Sequence, residues 1–443
     1  MMRALSATLE AKQKVMGPAL VKLVLTKATQ ATKTYGLDTT DRILYISHSE
    51  SEWSQTAHVT VNDPNATLAA LSLQGYLGTI SWGYKTSGGD EYSACAPLEV
   101  IAQTTDSRQG QIVTSFGLAG IFDMMDEEKA SEDYSPDDTN TDTIKTILTA
   151  IAEATLTCFN TALSHTITFD SEDDLIDSYM PADYFQIRAG ESRLSAFRRA
   201  LKFTKCKAKV RHDGVIHVFN PTISGSTYDS EYRDALTYHN FFDKSVRKRL
   251  VIPNKIVVSS HPDHAVQYTG SAVDTDSYDA LGRYITGEPV YIRATSNAQC
   301  TAIATAMLQH IQIGSEKGYG LAPMNCGQEV MDYVLITDSR VGDTRAGNIG
   351  YLNRWYSYYR REPTRFGLEF SFGSLEQAGG VGGLALSGTG TPTYADLRAV
   401  VDYVDRQIKA LERQTRVEIR EVTFPEVVAK LHVTEELIIP VVD

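Results

Sequence analysis

Ala57-His58-Val59-Thr60-Val61 places an apolar side chain at every second position with a polar one between, the pattern of a strand that is buried on one face and wet on the other. Outward from it, over residues 19 to about 116, β-branched and aromatic residues keep the same period of two, so antiparallel sheet is predicted throughout. Turn-forming residues interrupt the run at Asn62-Asp63-Pro64-Asn65, Gly75, Gly78 and Gly88-Gly89. Short strands at that spacing predict a barrel or a sandwich.

The pattern changes further along. Residues 123–142 hold nine Asp or Glu side chains and read as an acidic loop at a domain boundary, after which Ile144, Ile147, Leu148 and Ile151 mark one face of a helix. A second helix carries Leu194, Phe197 and Leu201, and strands at 206–210 and 215–219 meet at Asp213-Gly214, a hairpin turn. After a polar stretch, strands resume at Lys255-Ile256-Val257-Val258. Ser296-Asn297-Ala298-Gln299 fits a capping box opening a helix that buries Cys300, Ile303, Ala304, Met307, Leu308 and Ile311. Leu368, Phe370 and Phe372 oppose Glu369 and Ser371 on a last clear strand.

Glycines between Gly379 and Gly390 read as a linker. Beyond it, Tyr394, Leu397, Val401, Val404, Ile408 and Leu411 recur at alternating spacings of three and four, a heptad seam on one helix face. Thr393 and Asp396 suit its start, and Lys409, Arg413 and Arg416 suit its end. A helix this short is marginal alone, so the seam predicts chains already held side by side. Residues 417–443 alternate apolar and polar positions and predict strands added to a neighbour or the start of a trimeric plug.

The whole chain has 443 residues, enough for roughly two to four domains. Its 42% hydrophobic and 22% charged content is that of a globular protein, and no run of about 18 apolar residues could span a bilayer. Glu10, Lys12 and Lys14 interrupt any apolar export segment, which predicts synthesis and folding in a cytoplasm. Cys95, Cys158, Cys206, Cys300 and Cys326 lie far apart and read as small buried apolar groups. A net charge of −13 opposes tight binding to nucleic acid, whose affinity comes from Lys and Arg displacing counterions.

Candidate chemistry is sparse. His261-Pro262-Asp263-His264 offers two imidazoles and a carboxylate for a metal, against the plainer reading of a polar turn. Glu172, Asp173, Asp174 and Asp177 could supply the carboxylate pair of a glycosidase, against a solvated loop. Lys202, Lys205, Lys207, Lys209 and Arg211 could touch nucleic acid, against a solvated or subunit-facing sheet surface. Trp355, Tyr356, Tyr358 and Tyr359 could stack on bases or sugars, although a strand would split them between its faces. Serine-hydrolase, zincin and P-loop motifs do not occur, and no catalytic residue, metal ligand or cofactor is assigned.

Phe185-Gln186-Ile187-Arg188-Ala189-Gly190-Glu191-Ser192-Arg193-Leu194-Ser195-Ala196-Phe197, with the strand pair at Asp213-Gly214, resembles the segment of bacteriophage tail-tip and baseplate hub proteins in which a short helix precedes a hairpin. Asn254-Lys255-Ile256-Val257-Val258, the stretch from Asp276-Ser277-Tyr278 to Gly282-Arg283, and Gly327-Gln328-Glu329-Val330-Met331-Asp332-Tyr333-Val334 with Thr337-Asp338-Ser339-Arg340 are similar, in the same order, to the second tube-like domain of those hubs. The resemblance implies an α+β, mainly β, fold. Residues 1–122 and 236–375 would be two tube-like antiparallel β-barrel domains, the second with one helix. Residues 123–235 would form a small α+β domain; the resemblance covers roughly residues 1–375, and beyond it the glycine, heptad and alternation patterns make 376–392 the linker and 393–443 a C-terminal coiled-coil helix and β tail.

It further implies a virion tail tip made in the host cytoplasm: a homotrimeric, pseudo-six-fold structural ring joining the hexameric tail tube to a three-fold tip around the DNA channel. Its partners would be the tail tube and distal tail proteins, tip or fibre proteins, the tape measure protein in the lumen and, transiently, DNA. A host-binding or cell-wall-degrading tip protein is the alternative. Some hubs carry a fused hydrolase, for which residues 376–443 are too few.

Overall fold

The computed structural model describes residues 3–373 except 16, 38, 40, 41, 109, 160–162, 236, 237, 242, 249–251, 263, 264 and 359–364. The expected linker, the heptad seam and the C-terminal tail lie outside the described residues.

The alternation around Val59 becomes part of an antiparallel run: β1 (Ala19–Thr26), β2 (Lys33–Tyr35), β3 (Ile43–Ser51), β4 (Ser54–Asn62), β5 (Leu77–Thr86), β6 (Gly89–Arg108) and β7 (Gln111–Ala119). In β4 the burial alternates residue by residue, with Ala57, Val59 and Val61 inward. A middle section follows, of β8 (Ile167–Asp170), β9 (Lys207–Val210) and β10 (Ile216–Phe219), then β11 (Ser230–Arg233) and β12 (Asp243–Lys248). The last strands are β13 (Lys255–Ser260), β14 (Thr269–Val273), β15 (Val290–Ile292), β16 (Glu316–Pro323), β17 (Tyr333–Asp338), β18 (Asp343–Ser357) and β19 (Phe366–Phe372). Seven helices accompany them among the described residues: α1 (Ala7–Gln13), α2 (Ile121–Glu127), α3 (Ile144–Ala152), α4 (Leu175–Ser178), α5 (Arg193–Leu201), α6 (Thr275–Leu281) and α7 (Asn297–Ile313).

Strands from both ends of the described chain share one sheet, in the order β12-β16-β19-β18-β3-β4-β7-β6-β5-β1-β2, with β17 branching from β18 and β11 parallel to β17. The join is the antiparallel pair β3–β18, in register from Tyr45 opposite Ser357 to Ser51 opposite Tyr351. Two three-stranded sheets, β8-β10-β9 and β14-β13-β15, stand apart from it.

Three apolar cores follow. One fills the inside of β1 and β3–β7 with Leu23, Ile46, Val59, Trp82 and Phe116, and takes in Met324, Cys326 and Phe366 from the far end of the chain. A second lies between β16, β18 and β19, around Leu352, Leu368 and Phe370. The third packs α2, α3, α5 and α7 on β9, β10 and β13. No helix among the described residues is long and apolar enough to cross a membrane.

Local signals explain the helices. The hydroxyls of Thr143, Ser192 and Ser296 accept from the backbone N–H three residues on and so start α3, α5 and α7. At α7, however, Gln299 Oε1 accepts from Thr295 N rather than closing the box on Ser296. All four apolar residues expected on α3 are buried, as are the three on α5 and the six on α7. Gly214, at φ +75°, supplies the left-handed turn of the β9–β10 hairpin.

The supposed acidic loop begins instead as α2. Asp123 accepts from Gly120 N at 3.1 Å and from Gln55 N at 2.9 Å, so its charge ties the helix start to β4. Arg193 is fully buried and closes the end of α3, donating to the carbonyls of Ile151 and Ala152 at 2.6 Å each and to Glu128 at 2.7 Å. A cation at a helix C-terminus is where the dipole favours it.

Candidate functional site

Most of the buried charge gathers where β3, β9, β18 and the 325–332 segment converge. Period-two alternation sends His48 and Glu50 to the same inward face of β3 as Ile46, and Arg354 inward from β18 beside Leu352. Arg354 is fully buried; its guanidinium donates to Glu50 Oε1 and to the Gln328 carbonyl. Burial alone would raise the Glu50 carboxyl, but Arg354, His48 and Arg3 more than offset it and hold the group ionised.

Arg3 enters from the N-terminal segment. Its Nε donates to Glu329 Oε1 at 3.2 Å, and its Nη1 donates to Ser93 Oγ at 3.1 Å and to the Ala94 carbonyl, and stands 3.7 Å from Cys95 Sγ. The same segment is strapped down by Arg3 N on the Gly327 carbonyl and by Cys326 N on Gln13 Oε1, at 3.0 and 2.9 Å. Burial would push the Cys95 thiol up, yet the guanidiniums of Arg3 and Arg354, with His48 beside them, bring it down to about 7.

From β9, Lys209 Nζ reaches Glu329 Oε2 at 2.7 Å and Asp332 Oδ1 at 3.7 Å, and Lys207 Nζ reaches Glu52 Oε1 at 2.7 Å. Glu329, between Lys209 and Arg3, falls to about 2 although burial opposes it. Asp332 is fully buried, and desolvation raises it to about 6 against the pull of Lys209. Its Oδ2 accepts from Glu329 N at 2.7 Å and Gln328 Nε2 at 2.9 Å, which folds the 328–332 turn around the carboxylate. Met331 sits in that turn at φ +67°, a left-handed conformation that a non-glycine residue adopts only where its surroundings impose it.

The cavity between Arg3, Glu50, Gln55, Lys209 and Glu329 measures about 10 Å³, room for roughly one water. That excludes a substrate. Among the described residues, His48, Glu50 and Cys95 form the group whose donor atoms lie close enough together to hold a metal, all within 4.8 Å of one another.

The candidates read from the sequence are not drawn to this junction, with one exception. Lys207 and Lys209 are not on a solvated or subunit-facing surface. All four residues of β9 are buried, and both ammonium groups end on buried carboxylates. Glu172 and Asp177 share Lys145 at 2.9 and 3.2 Å, and Asp173 accepts from Lys205 N. The Lys145 hydrogen bond holds Glu172 below the ordinary carboxylate range, whereas a glycosidase acid needs its proton. His261 follows β13 with its ring 6.5 Å from that of Tyr184, while Asp263 and His264 lie outside the described residues. Trp355 is buried, Tyr356 packs against the N-terminal core, Tyr358 lies under Arg42, and Tyr359 is outside the described residues.

No protein-family model matches the sequence, and no curated protein matches it. Solved structures do match. The tail protein from Neisseria meningitidis MC58 superposes with a TM-score of 0.55 at 8% identity, covering 80% of this chain and 96% of that one. The chain has the fold of a phage tail protein. The 43 kDa tail protein of prophage MuSo2 from Shewanella oneidensis has a TM-score of 0.50 at 13% identity, over 80% of this chain and 98% of that one. At such identities the comparison shows the fold alone.

Proposed function

We propose that this chain is the structural hub of a phage tail tip and works as a homotrimer. The observation that carries the reading is the tail-protein fold, shared over 80% of the chain with a tail protein at a TM-score of 0.55; it is an argument from fold. Two runs of strands, residues 19–119 and 243–372, the first antiparallel and the second mainly so, support a reading in which each subunit brings two ring-forming elements. Three subunits then present six to a hexameric tail tube and three to the tip. In this reading residues 1–122 and 236–375 are the two tube-like barrels, and 123–235 is the α+β unit beside them.

The 376–392 segment is the linker to a coiled-coil helix in 393–443, whose seam of Tyr394, Leu397, Val401, Val404, Ile408 and Leu411 draws three chains together. The ring encloses the DNA channel, touches the tape measure protein within it, and binds tube, distal tail and tip or fibre proteins around it. Three copies triple the charge of −13, which favours release of passing phosphates over retention. The hub has a structural role without catalysis, is made in the host cytoplasm and resides in the virion tail tip.

Light scattering on the purified full chain, alone and with tube and tip proteins, is expected to give the mass of three chains, and negative-stain images a three-fold ring. Val401→Asp with Ile408→Asp is expected to weaken the trimer while leaving the circular dichroism of the β domains in place. A chain that stays monomeric with its partners present would overturn the reading.

A further inference from the structure

His48 is sealed from solvent; Nδ1 stands 3.5 Å from Glu50 Oε1 without hydrogen-bond geometry, and the Cys95 thiol beside the ring leaves it without an oxygen or nitrogen partner. A buried polar group in that state calls for a partner. Two residues along the same strand, Glu50 turns the same way, and Cys95 meets them from β6. In the sheet β3 and β6 are separated by β4 and β7, so only the curl of the sheet brings these side chains within 4.8 Å of one another.

An imidazole nitrogen, a carboxylate oxygen and a sulfur are the donor set of zinc and its borderline-soft neighbours, whereas calcium and magnesium take oxygen alone. Zinc bonds of about 2.0–2.3 Å place neighbouring ligand atoms roughly 3.5 Å apart, a contraction of about 1 Å that side-chain rotation supplies. We propose that His48, Glu50 and Cys95 bind one zinc-class divalent cation inside the sheet, with a water as fourth ligand.

Arg3 beside Cys95 and Arg354 on Glu50 act as outer donors to the ligating sulfur and oxygen and hold both in place. Their charge opposes a bare dication. Loss of the thiol proton on binding offsets half of the added charge, and Glu329 lies beside Arg3. All three ligands are buried, so the metal serves to staple β3 to β6 rather than to catalyse.

The test uses the full-length chain, stripped with a chelator and titrated with zinc and then cobalt. Elemental analysis is expected to return one zinc per chain, and cobalt a thiolate-to-metal absorption band. Cys95→Ser and His48→Gln should each abolish the stoichiometric uptake. Should either variant fail to fold, wild-type protein decides alone: zinc is expected to slow alkylation of Cys95 in mild urea at least tenfold, read by mass spectrometry, with the other four cysteines unaffected. Folded wild type that takes up no zinc, uptake that survives Cys95→Ser, or an alkylation rate at Cys95 indifferent to zinc would each overturn the proposal.

Discussion

At the scale of single residues the junction is a set of charges that cannot be removed one at a time. Arg354 is fully buried and its nearest anion, Glu50, is 5% exposed. Losing the arginine strands a carboxylate in a low-dielectric interior, which costs about 3–5 kcal/mol, whereas losing both charges together costs much less. Arg354→Met is therefore expected to lower urea stability by roughly that amount, and Arg354→Met with Glu50→Gln to recover more than half of it. Chelator-treated protein should be used, so that any metal at Glu50 does not enter the comparison. Simple additivity of the two substitutions would show that the pair is not coupled. The polarity of this site is partly readable in sequence: His48 and Glu50 stand in phase with Ile46, polar groups on an apolar face. Which charges answer them is not, because Arg3, Glu329 and Arg354 come from parts of the chain some 40 to 300 residues away.

At the scale of elements, what is written locally is legible and what depends on a distant partner is not. Caps, a 3.6-residue period and a turn glycine predicted α3, α5, α7 and the β9–β10 hairpin from neighbouring residues alone. The same local reading put Lys207 and Lys209 on a solvated or subunit-facing surface, since nothing within β9 announces Glu52 or Glu329. Helix α7 shows a second dependence. It lies directly on the backbone of β14, where a Cβ at Gly270 would stand 2.3 Å from Thr301 N and 2.7 Å from the Cys300 carbonyl carbon. Backbone cannot yield as a side chain can. Gly270→Ala is expected to push the helix off the strand and cost about 1–3 kcal/mol, seen as a lower Tm and faster hydrogen exchange in residues 297–313. An unchanged Tm would mean that α7 slides without loss.

At the scale of the whole molecule the β3–β18 pairing decides how the described chain folds. Period-two patterning gives each strand's inward face but carries no information about its neighbour in the sheet, so a pairing across about 300 residues lay beyond the sequence. Its consequences are concrete. In a fragment of residues 1–122, β3 becomes an open edge, the N-terminal core loses Met324, Cys326 and Phe366, and Glu50 and Glu52 lose Arg354 and Lys207. An unpaired edge beside buried, uncompensated carboxylates is a poor basis for a stable domain. The fragment is expected to be unfolded or aggregated, while residues 1–373 unfold with β3 and β18 losing hydrogen-exchange protection together. Contact between such distant segments also predicts slow folding, since loop closure precedes the contacts that reward it. A well-dispersed amide spectrum and a sigmoidal urea transition for residues 1–122 alone would show instead that the first strands hold together before β18 arrives, and that the charged junction is added to a finished sheet.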